Sequence, residues 1–245
     1  MCFIRIFRRL TRTRTTPVGD TRIVYHLPSG TVYKKYYNKD SYFADVDWED
    51  WAAVVDGFES RFKNWYFGQF HGGHASYVDF CALCALVEVF SHYDSGRDWH
   101  EPKYYKEFLR KLDSVFRTKL RHPVQITRCE AGSWRVGKLK DFADVFYAGV
   151  RCSLHHHGDL ASYAGMSGTG KLALEVENAG ESTCHIHKYS LVVFDPAILK
   201  AKLYDWFQQY CQKLRSSPNG DTATQFRQTF KNDFGIPIGQ PTTPT

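Results

Sequence analysis

The sequence predicts a mainly α fold, a helical bundle that carries two short β-hairpins. Apolar residues recur at three- and four-residue steps through most of the middle and carboxyl-terminal chain, which is the period of a helix with one buried face. Two other stretches place β-favouring residues around turn chemistry, the pattern of a hairpin. With 245 residues, 43% hydrophobic and 24% charged, the chain is long enough for one sizeable core with decoration. Aromatics make up 16%, with 18 Phe and 15 Tyr, so rings that bury large areas and favour edge or offset contacts are expected to fill that core.

The first 44 residues read as a basic arm and a hairpin. Arg5, Arg8, Arg9, Arg12 and Arg14 crowd the start, followed by Arg22, Lys34, Lys35 and Lys39, against Asp20 and Asp40. This end carries most of the net charge of +6, and such a run is either a solvated arm or an attractor of phosphate. Ile23, Tyr25 and Leu27 alternate, Pro28-Ser29-Gly30 supplies a turn, and Val32 and Tyr33 begin the return strand.

Residues 45–236 read as one helical domain. Trp48, Trp51, Val55, Phe58 and Phe62 give helix one, about Asp47 to Tyr66, with Asp47 placed to stabilise its start. After the break at Gly72-Gly73, Ser76 to His92 forms a very apolar, central second helix. Pro102 suits the first turn of helix three, whose period runs through Tyr105, Phe108, Leu109, Leu112, Val115 and Phe116 until His122-Pro123 stops it. A loop containing Trp134 leads to helix four. Its stripe is Leu139, Phe142, Val145, Phe146, Val150 and Leu154, and Gly158 terminates it just after His155, His156 and His157. A second hairpin is expected near 172–195, then helix five (Ile198 to Leu214, opened by Pro196), a weaker helix from Ala223 to Phe234, and a Pro- and Thr-rich flexible tail at 237–245.

The end of helix four carries the chemistry. The run Phe146-Tyr147-Ala148-Gly149-Val150-Arg151-Cys152-Ser153-Leu154-His155-His156-His157-Gly158 resembles the helix end of HEPN-type domains, whose mark is an Arg followed after four to six residues by a His. It also resembles a group of bacterial proteins in which an Arg-Cys-small-Leu-x-His-x-Gly run ends a helix, followed by a β-hairpin and a long helix. In HEPN domains the residue after the Arg is usually polar, and here it is Cys152. The resemblance implies a HEPN-like helical bundle and metal-independent RNA cleavage at a site formed by two motifs across a homodimer. The setting it implies is a bacterial toxin, stress or antiphage system, with a partner protein of such a system among the expected partners.

That chemistry also follows from the residue types. A 2′-hydroxyl must lose a proton to attack the adjacent phosphate, and a neutral imidazole titrating near pH 7 suits the task. A guanidinium stabilises the negative charge that develops on the phosphorus centre. Arg151 is the expected phosphate-stabilising group. Family register selects His156 as the base, and Gly158 suggests that the helix is already unwinding there. An unbroken helix selects His155, which lies about 40° from Arg151 around the axis while His156 lies about 140° away. A structural alternative has Arg151 capping the helix end against the macrodipole, with the imidazoles in solvent. Arg5, Arg8, Arg9, Arg12, Lys34 and Lys35 are the candidate contacts to RNA phosphates.

Other constellations point elsewhere or nowhere. Cys81 and Cys84 form a C-x-x-C within an apolar run and read as small core residues. Three His pairs, 71 with 74, 155 with 157 and 185 with 187, would suit a metal-dependent hydrolase, though no spacing matches a zinc pattern. Gly165 to Lys171 imitates a phosphate loop, but Leu172 replaces the required Ser or Thr and the flanking strand and helix are missing. Seven cysteines without regular spacing imply a reducing, cytoplasmic setting, and no window is long and apolar enough to span a membrane. The leading expectation is a HEPN-type endoribonuclease without cofactor. The alternatives are a non-catalytic HEPN-like module that binds nucleic acid or a partner, and a metal-dependent hydrolase built on the His pairs.

Overall fold

A computed structural model of the chain describes residues 22–26, 32–36, 49–70, 77–97, 101–130, 133–182, 185–234 and 238. These are mostly helical, with hairpins between the helices. They belong to two compact units, one formed by residues 70–209 and the other by 1–69 with 210–245. The basic residues Arg5, Arg8, Arg9 and Arg12 lie outside the described residues, as does the tail beyond Ile238.

In the second of these units, β1 (Arg22–His26) pairs antiparallel with β2 (Val32–Tyr36), so the expected hairpin forms. Helix α1 (Trp51–Trp65) begins where the Asp50 carboxylate accepts the Ala52 N–H at 2.9 Å, satisfying one of the donors that a helix start leaves open. Its buried stripe is Trp51, Val54, Val55, Phe58 and Phe62. Rings from the last helix of the chain meet that stripe, with Phe226 edge-on to Trp51 at 5.8 Å and to Phe58 at 4.9 Å. The Trp51 indole donates to the Leu214 carbonyl at 3.0 Å, and the Arg227 guanidinium lies 3.9 Å from the Trp51 ring centre.

The unit 70–209 is built around α2 (Tyr77–Ser95). Phe80, Leu83, Cys84, Leu86, Val87 and Phe90 are all fully buried, so this helix is covered on most of its circumference. Helix α3 (Pro102–Leu112) opens on Pro102 as expected, but it ends well short of the predicted stop at His122-Pro123. Asp113 turns the chain instead, its carboxylate accepting the Val115 N–H at 2.9 Å and starting a single 3₁₀ turn, Ser114–Arg117. Val115 and Phe116 continue the apolar spacing of α3 without continuing the helix. The next stretch, expected as helix end and loop, is a third hairpin formed by β3 (Lys119–Glu130) and β4 (Ser133–Asp141). Pro123 is tolerated because the strand register shifts between Lys119 and Val124, where a residue without an N–H leaves no ladder bond unmade.

Asp141 both ends β4 and caps the next helix, accepting the Asp144 N–H at 2.9 Å. The helical run 142–157 therefore starts at Phe142 rather than Leu139. It consists of α4 (Phe142–Val145), a widened π-helical stretch (Phe146–Cys152) and α5 (Ser153–His157). Arg110 from α3 reaches Asp141 at 2.8 Å and Lys106 reaches Asp144 at 2.8 Å, so two ion pairs fix the start of this run. Burial opposes ionisation of Asp144, but the bonds and charge of Lys106, with the Lys140 N–H, hold its carboxyl below the ordinary value.

The expected second hairpin is present, with β6 (Ala173–Ser182) antiparallel to β7 (His185–Phe194). Part of the predicted loop before it forms β5 (Ala164–Met166), which pairs parallel with β7 to give the strand order β5-β7-β6. Asp195 then caps α6 (Pro196–Ser216), accepting the Ala197 N–H at 3.0 Å and, on its other oxygen, the Gly170 N–H at 3.0 Å. The last helix, α7 (Asp221–Phe234), starts two residues before the expected weaker one. Phe146 sits among Phe80, Phe116 and Phe194, edge-on to each at 5.0–5.8 Å, and so locks the widened helix into the core.

The close approach of that helix to β5 depends on Gly149. A methyl group there would stand 2.6 Å from a Tyr163 ring carbon and 2.8 Å from the Ala164 Cβ. Gly149→Ala is expected to cost roughly 1–3 kcal/mol through overpacking. Gly158, whose φ of 71° is left-handed and whose Cβ direction is open, should cost about 1 kcal/mol on the same change. Urea unfolding of the two variants checks this, and equal losses would remove the packing argument.

Candidate functional site

Glu88 is the residue around which the site is organised. It occupies an otherwise apolar stretch of α2 between Val87 and Val89 and is only 2% exposed. An ionised carboxylate so placed costs several kcal/mol unless a cation meets it. Arg151, from the π-helical stretch, supplies the cation. Its Nη2 donates to Glu88 Oε1 at 2.9 Å and to Oε2 at 3.2 Å. Burial works against the Arg151 charge, yet the Glu88 carboxylate outweighs it and holds the guanidinium above its ordinary pKa.

Aromatic hydroxyls and thiols surround this pair. The Arg151 guanidinium lies 5.7 Å from the Tyr147 ring centre, and Tyr147 meets Tyr105 edge-on at 5.3 Å. Burial, with Cys152 beside it, pushes the Tyr147 hydroxyl up to about 12. Tyr105 and Cys84 are raised as well, each chiefly by burial. Tyr147, Tyr105 and Cys84 therefore stay neutral near pH 7, and Glu88 with Arg151 forms the ionic contact among them.

The helix is unbroken through His157, and Gly158 closes it in the left-handed conformation, donating its N–H to the Leu154 carbonyl at 3.1 Å. His155 follows Arg151 by four residues and is partly buried, with its Nε2 shielded from solvent and without a hydrogen-bond partner. Burial, then the neighbouring Arg151 charge, lowers its pKa to about 4. Arg151 Nε is likewise buried without a partner. His156 and His157 are exposed. The His156 ring is shifted down, by its slight burial first and also by Arg151. Arg151 and His155 are thus brought together, and His156 faces water. Arg151 does not cap the helix end as the structural alternative has it; its charge is spent on Glu88.

The remaining candidates are distributed as follows. Lys34 and Lys35 occupy β2 at the register positions opposite Val24 and Ile23. His185 and His187 pair in register with Ser182 and Gly180 on β6, while His71 and His74 lie outside the described residues. Among the described residues no group of three or more His, Cys, Asp or Glu is placed to hold a metal ion. Cys84 is buried, as a core role requires, and Cys81 half-buried. The loop that imitates a phosphate-binding turn gives its Gly170 N–H to the Asp195 carboxylate, which would repel an anion. No helix among the described residues is long and apolar enough to cross a membrane.

Sequence reading missed Glu88, 63 residues from its partner. The signal available was the incongruity of a carboxylate inside the apolar run Cys81 to Phe90, since Glu is almost never fully buried unless paired.

Removing the carboxylate leaves a buried, uncompensated cation, so Glu88→Ala should destabilise the chain by about 3–5 kcal/mol. The double change Glu88→Leu with Arg151→Met should cost distinctly less in the same urea titration. His155 makes a separate prediction. Its imidazole takes a proton near pH 6.5 when unfolded but only near 4 when folded, so the folded state binds fewer protons between these values. Stability is therefore expected to fall as pH drops from about 6.5 to about 4. His155→Gln should flatten that segment, and proton NMR should show the His155 ring titrating near 4 in the wild type. A His155 midpoint above 6 would refute the burial account.

Compared with known proteins, the chain matches no family model, no curated protein and no solved structure.

Proposed function

We propose that the chain is a HEPN-type, metal-independent endoribonuclease in which Arg151 and His155 act on one RNA phosphodiester, with a second copy of the chain completing the site. The observation that carries this reading is the placement of a permanently charged guanidinium and a neutral imidazole one helical turn apart, each with a buried nitrogen that makes no hydrogen bond. Polar atoms in that condition are uncommon in folded proteins, and a catalytic role is one of the explanations for them. Arg151 would neutralise charge on the phosphoryl oxygens. His155, held neutral by the same positive charge, would accept the 2′-hydroxyl proton, and its basicity would rise once phosphate offsets Arg151. The exposed His156 remains available as the acid that protonates the leaving 5′-oxygen. A toxin, stress or antiphage role in the cytoplasm belongs to the same proposal and rests on the resemblance of the run from Arg151 through four residues to His156 to HEPN helix ends, a spacing that His155 misses by one residue.

A second reading is favoured by the Glu88 contact. A carboxylate already bound to Arg151 lowers its attraction for phosphate, as befits a module that binds nucleic acid or a partner without cutting it. The two readings separate in one experiment. Purified chain incubated with RNA and a chelator should cut it, and Arg151→Lys, which keeps a cation for the buried Glu88 carboxylate, and His155→Ala should each remain folded and lose about 10²-fold or more in rate. Loss on His156→Ala with His155→Ala unaffected would move the base to His156. Absence of cleavage with salt-sensitive RNA binding would establish the second reading instead.

A further inference from the structure

The hairpin β3–β4 does more than lead into the helical run that bears Arg151. Between Lys119 and Asp141 the sequence has Lys119, Arg121, Arg128, Arg135, Lys138 and Lys140 against Glu130 and Asp141, and Arg110 already holds Asp141. Several cations elsewhere in the same unit are matched. Lys106, Lys111 and Lys202 each reach a carboxylate within 2.6–2.8 Å, and Arg151 reaches Glu88. Lys138 and Lys140, by contrast, are exposed and form no ion pair among the described residues. Positive charge concentrated and left unmatched on one element is the electrostatic footprint of an anionic partner.

Strand alternation sorts the hairpin residues onto two faces. On β4, Leu139 is 3% exposed while the lysines on either side of it are exposed, so Lys138 and Lys140 mark the outer face. The period of two places Trp134 on that face as well. The register sets Lys138 opposite Gln125 and Trp134 opposite Cys129, with Thr127 between. None of these positions holds a carboxylate. Glu130 belongs to the other face, where Arg128 lies directly opposite Arg135, a like-charge pairing that costs stability in a sheet.

We infer that the outer face of β3–β4 is a binding surface for single-stranded RNA, with phosphates on Lys138 and Lys140 and a base stacked on Trp134. An aromatic residue among cations is the combination a single strand needs, since every base has a face to stack and every linkage a charge to pair. Same-face residues repeat about every 6.6 Å along a strand, a spacing comparable to one nucleotide step of an extended chain. A membrane surface would call for a broader apolar face than Trp134 and Val136 supply. The inference rests on the reading of RNA as the partner and names where the strand lies, on a hairpin continuous through the Asp141 cap with the run that carries Arg151.

Salt dependence separates the roles. The full chain and its variants are titrated with a 2′-O-methyl oligouridylate, which is not cleaved, at several salt concentrations. Each phosphate contact on a single strand contributes about −0.7 to the slope of log K against log salt, so Lys138→Ala with Lys140→Ala should weaken binding and flatten the slope by about 1.4. Lys111→Ala with Lys202→Ala, which removes the same charge from ion-paired positions, should leave the slope nearly unchanged. Trp134→Ala should weaken binding roughly tenfold with the slope intact, and Trp134→Phe should restore most of the loss.

An unaltered slope in the Lys138 and Lys140 double variant overturns the inference, as does equal flattening in the Lys111 and Lys202 protein or full affinity in Trp134→Ala. Binding to phosphatidylserine vesicles without binding to RNA overturns it too. Should Trp134→Ala not fold, the oligonucleotide should quench tryptophan fluorescence in the wild type and much less in Trp134→Phe, and quenching of equal size counts against the stack. A wild type that binds in this way but never cuts unmodified RNA loses the nuclease reading and keeps the hairpin surface. One that cuts RNA while the lysine changes leave binding unaltered loses the surface and keeps the nuclease.

Discussion

A carboxylate buried in the middle of an apolar helix constrains everything packed against it. Glu88 and Arg151 gain little net stability over apolar residues of the same size, because both charges leave water to meet. What the pair does is penalise every packing of the run 142–157 on α2 that would separate them. The ion pairs of Arg110 and Lys106 with Asp141 and Asp144 anchor the start of that run, and the Phe146 cluster fills the space between. The three sets of contacts act at successive levels along one helix. Together they leave its final turn, with His155 to His157, in a defined place at the edge of solvent.

The helices that were legible in the sequence are those with long, uninterrupted apolar periods. Trp51 to Phe62, Phe80 to Phe90 and Leu199 to Leu214 each bury a face at the spacing read from the chain. The hairpin β6–β7 was legible too, since Leu191, Val192 and Val193 are β-favouring and Pro196 ends the strand region. The hairpin β3–β4 was not. Val115 and Phe116 prolong the spacing of α3 beyond the Asp113 cap, and the first strand that follows carries His122 and Arg128 on the side of Leu120, Val124 and Ile126, with Pro123 reading as a stop. Periodicity alone cannot distinguish a helix from a 3₁₀ turn that keeps the same residues inside.

At the site, the short motif exposed Arg151 and the imidazoles but not their relations. The motif register puts His156 ahead of His155 on the expectation that the chain is already unwinding before Gly158; the helix instead runs through His157, and its geometry sets His155 on the face of Arg151. The widening at 146–152 left no mark that periodicity could show, because it changes the turn count while the same apolar residues stay buried. Gly149 was its visible trace, a residue without a side chain at the point where the wider coil presses on Tyr163. The buried acid opposite Arg151 is a tertiary feature, and a single chain read in order has no means of joining positions so far apart beyond noticing a charge out of place.

The π-helical stretch has one more consequence. A widened turn holds more residues than an ordinary one, so it absorbs an extra residue without turning the segments on either side out of alignment. A one-residue insertion in a plain α-helix rotates everything after it by about 100°. Between α4 and α5 the chain has a device that converts a change of length into a change of local pitch. Because the widened stretch ends at Cys152, the length it can absorb lies upstream of Arg151, and the spacing from Arg151 to His155, with the face the two share, is left untouched.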